Sequence, residues 1–75
     1  MNRFYKVNDF MFVEIGYVET INMWYADLID FRTHEKIATN DNTDKIKLIA
    51  SIVRDKWFGE YTDNFALFIE DVLKK

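Results

Sequence analysis

The chain of 75 residues contains no cysteine and no proline, only two glycines and a single histidine. Without cysteine it forms neither disulfides nor cysteine-ligated zinc, and one histidine leaves no histidine pair for a metal site. No apolar run approaches the roughly 20 residues that a membrane-spanning helix needs, and no signal-peptide pattern opens the sequence. We therefore expect a cytoplasmic protein that uses no metal and no other cofactor.

Apolar residues are abundant: they make up 49% of the chain, with seven Phe, four Tyr and two Trp. This content is typical of a folded chain, but 75 residues are too few for two independent cores. No proline-rich, glycine-rich or repetitive segment suggests a linker. The sequence therefore predicts one domain over 1–75, with a strand-rich half over 1–41 and a two-helix half over 42–75.

Period-two alternation of β-branched and aromatic residues predicts the strands of the first half. They are Met11–Val18, Ile21–Phe31 and a short Lys36–Thr39. In the second of these, Trp24, Ala26 and Leu28 share one face. Residues 18–21 form a short hairpin turn, and Phe4–Val7 fits either a further edge strand or an ordered arm.

Asn40–Thr43 is a cluster of turn and capping residues that marks the change to helix, with Thr43 or Asn42 as the cap. The first helix has an apolar stripe at helical spacing, widened by Leu48 and Ile52: Ile46, Ile49, Ala50, Val53 and Trp57. Gly59 is predicted to end this helix in a left-handed conformation. Thr62 opens a second helix, whose stripe is Phe65, Phe68, Ile69, Val72 and Leu73.

These elements predict an α+β fold in the order β-β-β-α-α. It consists of a three-stranded antiparallel β-meander followed by two α-helices packed on one face, which buries every apolar stripe at once.

Residues capable of catalysis are present but scattered. Ser51 lies in a predicted helix and His34 in a predicted turn, so no nucleophile and base are brought together. Glu14 and Asp27 lie on adjacent strands and, with Asp30, offer paired carboxylates, but so short a chain has little material for a cleft. No phosphate-binding loop is present. We expect a protein that is not an enzyme.

Charge argues against direct nucleic-acid binding. The net charge is −3; the first 44 residues carry four basic and eight acidic residues, and the last 31 carry six and five. An aromatic stacking surface on the acidic strands would repel phosphates. The basic residues of the first helix surround two acidic residues, Asp44 and Asp55, as on a solvated helix face.

The aromatic residues exceed what a core of this size readily holds. We expect some to lie on the surface, from a set of seven: Phe4, Tyr5, Phe10, Phe12, Trp24, Tyr25 and Phe58. Exposed aromatic residues beside acidic ones favour binding to a protein partner or to a second copy in a homodimer. The alternative is that most of them belong to the core.

From Ile37 onward the chain resembles a known family. The run Ile37–Asp44, an amphipathic helix ending at Trp57, and the junction Trp57, Glu60, Tyr61 and Asp63 are similar to the small phage-encoded type II-A anti-CRISPR proteins. In a member of that family, three strands are likewise followed by two helices. In the first half of this chain, only the order and length of the strands match.

The resemblance implies a phage or prophage inhibitor in the cytoplasm of a bacterial host. Its carboxylates would occupy the basic groove in which a CRISPR nuclease reads DNA. Carried over by position, the partner-binding residues would be Asp30 and Glu35 beside a hairpin turn, and Glu60 and Asp63 at the helix junction.

Two departures reduce the number of matching acids. The acidic, glycine-containing hairpin of the family is replaced here by Arg32–Glu35. The acids that follow the junction in the family are replaced by Asn64, Phe65 and Ala66.

The alternative function is that of a small phage accessory or regulatory protein, which would act by self-association or by contact with the replication or transcription machinery.

Overall fold

A computed structural model describes residues 2–57, 59 and 62–74 and has the predicted α+β class. Its elements, in chain order, are strands β1 (Arg3–Lys6), β2 (Met11–Val18), β3 (Met23–Asp30) and β4 (Lys36–Asn42), followed by helices α1 (Lys45–Arg54) and α2 (Asp63–Lys74). The sheet has four strands in the order β1-β2-β3-β4, and each neighbouring pair is antiparallel. The prediction of three strands was therefore short by one. The sequence allowed Phe4–Val7 to be either an edge strand or an arm. In the structure this segment contributes most of β1, in which Tyr5 lies opposite Val13.

The boundaries of β3 and β4 differ from the prediction. Glu19–Ile21 forms a 3-10 turn that ends at a left-handed Asn22, so β3 begins at Met23 instead of Ile21. Beyond Thr39, β4 continues through Asn40, Asp41 and Asn42, which lie opposite residues 24–26 of β3. Pairing with a neighbouring strand outweighs the turn propensity of these three residues.

Both ends of α1 are capped by residues other than the predicted ones. The Asp44 carboxylate accepts the backbone N–H groups of Ile46 and Lys47, whereas the Asn42 side chain accepts from Asp44 itself. The helix ends at Arg54, and Lys56 rather than Gly59 is its left-handed residue, with φ of 58°.

Two backbone bonds complete the end of α1. The Trp57 N–H donates to the Ile52 carbonyl at 3.2 Å, and the Lys56 N–H donates to the Val53 carbonyl at 3.1 Å. This is the Schellman pattern, which turns Trp57 back toward the helix it follows. At α2 the prediction is confirmed, because the Thr62 hydroxyl accepts the Phe65 N–H at 3.1 Å.

The core lies between one face of the sheet and the two helices. Its buried members come from β2, β3, both helices and the segment between them: Val13, Ile15, Ala26, Leu28, Leu48, Ile49, Ile52, Trp57, Phe65 and Val72. Ile46, Ala50 and Val53 are exposed, so the predicted stripe of α1 was displaced by about one residue, or ~100° of helix rotation. Leu48 and Ile52, named as the widening residues, lie at its true centre. In α2, Leu73 is also exposed.

Three contacts fix the direction of α2 across the sheet. The Tyr5 hydroxyl lies 3.2 Å from the Thr62 hydroxyl, and Arg3 Nε lies 3.0 Å from a carboxylate oxygen of Asp71. Lys45 Nζ donates to the Val72 carbonyl at 2.9 Å, where a cation is favoured at a helix C-terminus. The helix therefore starts beside the end of β1 and runs back toward the beginning of that strand.

Candidate functional site

The two hairpin turns at 7–10 and 31–35 lie at one end of the sheet, because β1 and β3 both run toward it. The Phe31 N–H donates to the Phe10 carbonyl at 2.8 Å, which joins the two turns. The first turn of α2 lies near the same end, since Thr62 contacts Tyr5. We call this region, residues 6–10, 30–35 and 62–63, the two-turn end.

Asp30, a predicted site residue at the two-turn end, is held by hydrogen bonds within the second turn. Its carboxylate accepts the backbone N–H groups of Arg32 and Thr33 at 2.8 and 3.0 Å. These hydrogen bonds, chiefly the one from Thr33, hold the pKa of the Asp30 carboxyl below its usual range. Asp30 therefore stays ionised, but much of its hydrogen-bonding capacity is used within its own turn.

Glu35 and Asp63 are exposed at the two-turn end. Within the described part of the chain, neither carboxylate forms an ion pair. Asp63 is the first residue of α2, where a negative charge is favoured. Glu60, the fourth predicted partner-binding residue, lies outside the described residues, as does Tyr61 of the junction.

The two-turn end carries charges of both signs. Arg32 is exposed in the second turn, and Lys6, 3.4 Å from Asp9, is the last residue of β1. The carboxylates thus lie toward one end of the sheet, as a charge-mimicking site would require, but they are interspersed with cations. An inhibitor that used them would face its target with a mixed surface.

The face of the sheet opposite the helices, which we call the open face, carries an aromatic cluster centred on Phe12. The Phe12 ring lies 6.0 Å from Phe4, 5.7 Å from Phe31 and 6.4 Å from His34 between ring centroids. Together with Lys6, these residues line a shallow depression of about 440 Å³, the aromatic depression. Phe4 and Phe31 are exposed, which supports the expectation of surface aromatic residues, although Phe31 was not among those named.

His34 belongs to this aromatic depression. As predicted, it is exposed in a turn, where its φ of 61° is left-handed. Its ring nevertheless packs edge-on against Phe12, so it is more than an isolated solvated side chain. Ser51 belongs to a separate hydrogen-bonding group, in which it donates to the Leu48 carbonyl and lies 3.3 Å from Asn40.

A second depression of about 450 Å³, the polar depression, lies on the open face toward the opposite end. Its lining combines acidic, apolar and other polar residues: Glu14, Val18, Ile21, Met23, Tyr25, Asp27, Lys36, Thr39 and Asp41. The Tyr25 hydroxyl donates to the Glu14 carboxylate across Gly16, where an added Cβ would lie 2.5 Å from that hydroxyl. Burial, followed by this hydrogen bond, raises the pKa of Tyr25 to about 12.

Glu14 and Asp27 lie directly opposite each other in the sheet, as the prediction of adjacent carboxylates required. Both are engaged within the protein. Asp27 is buried and accepts from the Thr39 hydroxyl at 2.6 Å, with Lys36 Nζ at 3.4 Å. The pair therefore acts in the structure as part of a polar network that joins β2, β3 and β4.

Within residues 2–57, 59 and 62–74, no group of three or more acidic or histidine side chains is arranged to hold a metal ion. The helices described in this part of the chain are also too short or too polar to cross a membrane. In comparisons with known proteins, no family model, curated protein or solved structure matches the chain.

Sequence reasoning missed the grouping of Phe12 with Phe31 and His34. The period-two pattern contained part of the signal, because Phe12 alternates with the buried Val13 and so falls on the other face. Finding the rest required the strand register and the conformation of the turn.

Proposed function

We propose that this protein is a non-enzymatic phage or prophage inhibitor that binds a CRISPR effector nuclease of its bacterial host and blocks DNA binding or cleavage. The main structural support is the two-turn end, because Asp30, Glu35 and Asp63 lie toward the same end of the sheet. The choice of target depends on the resemblance of the sequence, above all on Trp57, Glu60, Tyr61 and Asp63.

Binding would take place through carboxylates against a basic surface of the nuclease. Glu60 and Asp63 would lead, with Glu35 and Asp30 in support. Exposed charges of this kind accelerate association and make it sensitive to salt more than they deepen affinity. Asp30, whose carboxylate accepts two backbone hydrogen bonds within its turn, would contribute a charge whose orientation is already fixed.

The test is a binding titration at low salt between the purified protein and a guide-loaded type II-A effector nuclease, accompanied by a DNA-cleavage assay. We expect Glu60→Lys with Asp63→Lys to weaken binding by about 10-fold or more, because each reversal turns attraction into repulsion. The matched control is Glu19→Lys at the opposite end of the sheet, which should leave affinity unchanged. His34→Gln should do the same.

Each outcome has a distinct meaning. If the double reversal lowers the melting temperature while the folded fraction binds as before, Glu60 and Asp63 serve only the helix and the charge mechanism fails. If the unaltered protein neither binds nor inhibits the nuclease, the target is wrong. The accessory or regulatory function would then take its place.

A further inference from the structure

We propose that the open face binds a second copy of this chain. In this face-to-face dimer, called antiparallel because opposite ends of the two open faces meet, the aromatic depression of each copy covers the polar depression of the other. The proposal goes beyond the inhibitor function and uses a largely different surface. Lys6, Phe31 and His34 belong to both regions, but Asp30, Glu35 and Asp63 of the two-turn end line neither depression.

The first argument is that both depressions are apolar enough to associate. Phe4 and Phe31 are exposed in the aromatic depression, and Val18 and Ile21 are exposed in the polar one. Neither α1 nor α2 covers these depressions, because both helices pack on the other face of the sheet. Stacked sheets lie about 10 Å apart, so apolar side chains from two such faces can interdigitate.

The second argument is charge complementarity. The lining of the aromatic depression contains Lys6 and no carboxylate, although Asp9 lies beside Lys6 in an exposed pair. The lining of the polar depression contains three carboxylates, Glu14, Asp27 and Asp41, against the single ammonium of Lys36. The open face therefore has one end, the aromatic depression, that is lined by a cation, and another end, the polar depression, in which carboxylates outnumber ammonium groups.

These two ends select one arrangement of the dimer. Lys6 lies on β1 and Asp41 on β4, at opposite edges and toward opposite ends of the sheet. A twofold axis lying between the sheets and running oblique to the strands brings each cationic end over an acidic end, and symmetry makes this contact twice. A twofold axis parallel to the strands would instead bring the acidic ends together, at a cost in repulsion. The open face is therefore complementary to itself in the antiparallel arrangement.

The size of the face predicts a weak dimer. Four strands about 4.8 Å apart, with a rise of about 3.3 Å per residue over eight residues, give a flat footprint of roughly 400–500 Å². Side-chain relief adds to this area, but a standard interface buries about 800 Å² per partner. We expect dissociation constants on the order of micromolar, so that dimers form as the protein is concentrated.

The first experiment is sedimentation equilibrium of the full chain from about 1 µM to about 1 mM, the range in which such affinities are measured. Ile21 and Leu67 form a matched pair, because each is 63% exposed but Leu67 lies on α2. Ile21→Ser should weaken dimerisation by about 10-fold through lost apolar burial. Leu67→Ser should leave it within about 2-fold of the original value, since an exposed change outside the interface has little effect.

The second experiment tests the antiparallel arrangement by exchanging charge. Lys6→Glu and Asp41→Lys should each weaken dimerisation by about 5- to 10-fold at low salt, and the double variant should recover most of the loss. Lys47→Glu on α1 and Glu70→Lys on α2 reproduce the two changes in net charge away from the open face. Both should have little effect.

A protein that stays monomeric over the whole concentration range would overturn the proposal. Equal responses to Ile21→Ser and Leu67→Ser would also overturn it, because the contact would then lie elsewhere. If the double charge exchange weakens the dimer further instead of restoring it, the antiparallel arrangement is wrong. None of these results depends on whether the protein binds a nuclease.

Discussion

The two faces of the sheet are built from alternate residues of the same strands, yet they are stabilised in different ways. On the covered face, aliphatic side chains such as Val13, Ile15 and Leu28 are buried under α1 and α2. On the open face, Asp27 is buried without a covering helix, through hydrogen bonding to Thr39 and pairing with Lys36. The covered face gains its stability mainly from area removed from water. The open face also buries Ile29, but it gains more from specific polar and aromatic partners.

This difference has a consequence for function. A face stabilised by burial has no freedom to change partners without unfolding the domain. The open face satisfies its buried polar atoms internally and still exposes aromatic rings such as Phe4, so it can gain or lose a partner while the fold persists. Substitutions on the covered face should therefore lower the free energy of unfolding much more than substitutions on the open face.

The largest expected effect is that of Trp57→Ala. Trp57 is buried in the core directly after α1, where the Schellman bond from its N–H fixes the chain. Deleting a buried aromatic side chain should lower the free energy of unfolding by about 3–5 kcal/mol, measured by denaturant titration. Phe4→Ala on the open face is the comparison and should cost about 1 kcal/mol or less. Similar losses for the two variants would contradict the distinction between the faces.

The next largest effect separates the two sides of α1. Ile52 is fully buried, whereas Ile46, about 1.7 turns earlier in the same helix, is 68% exposed. We expect Ile52→Ala to cost about 2–5 kcal/mol and Ile46→Ala about 0.5 kcal/mol or less, by the same titration. Because both changes are Ile to Ala within one helix, helix propensity cancels. A larger cost at Ile46 would restore the orientation of α1 that the sequence pattern predicted.

This error shows what hydrophobic spacing can and cannot specify. The alternation in Met11–Val18 was sufficient to identify β2, because a strand has only two faces. In α1, the apolar residues Ile46, Leu48, Ile49, Ile52 and Val53 span roughly 160° of the helix circumference, and Ala50 widens this arc to roughly 200°. More than one orientation therefore fits the same spacing. The choice among them is made by the sheet, through contacts between residues distant in sequence.

The candidate sites were predictable to different degrees. The hairpin positions of Asp30 and Glu35 followed from the strand order, and Asp63 followed from the capping residue Thr62. The bonds from the Asp30 carboxylate to its own turn did not, because they depend on the turn conformation. The hydrogen bond from Tyr25 across Gly16 to Glu14 could not be predicted either, because it depends on the strand register that pairs Gly16 with Tyr25.

Gly16 allows a moderate test of the open face. An added Cβ would overlap the end of the Tyr25 ring, which would have to swing away and lose its bond to Glu14. Gly16→Ala should therefore destabilise by about 1–2 kcal/mol in thermal or chemical unfolding. In a Tyr25→Ala background the overlap is gone, and the same change should stabilise by about 0.4–1 kcal/mol through the unfolded chain. A loss of stability in both backgrounds would show that Tyr25 is not the obstacle.

The smallest expected effect is that of Tyr25→Phe, which removes one hydroxyl from the open face. At neutral pH, losing the bond to Glu14 should cost about 0.5–1.5 kcal/mol. The pH dependence is more specific. Because the pKa of Tyr25 is raised from 10.0 to about 12 in the folded protein, its contribution is fully present below pH 10. It is lost as the pH rises from 10 toward 12, since the unfolded chain releases this proton first.

Stability measured between pH 9 and 12 should therefore fall less steeply in Tyr25→Phe than in the unaltered protein. Tyr17→Phe is the matched control on the covered face, where the Tyr17 hydroxyl donates to the Asn22 side chain. This variant keeps Tyr25 and should keep the steeper alkaline loss that comes from it. If Tyr25→Phe and the unaltered protein lose stability in parallel over this range, the hydroxyl of Tyr25 is not held by Glu14. The open face would then lack one of the polar partners that distinguish it from the covered face.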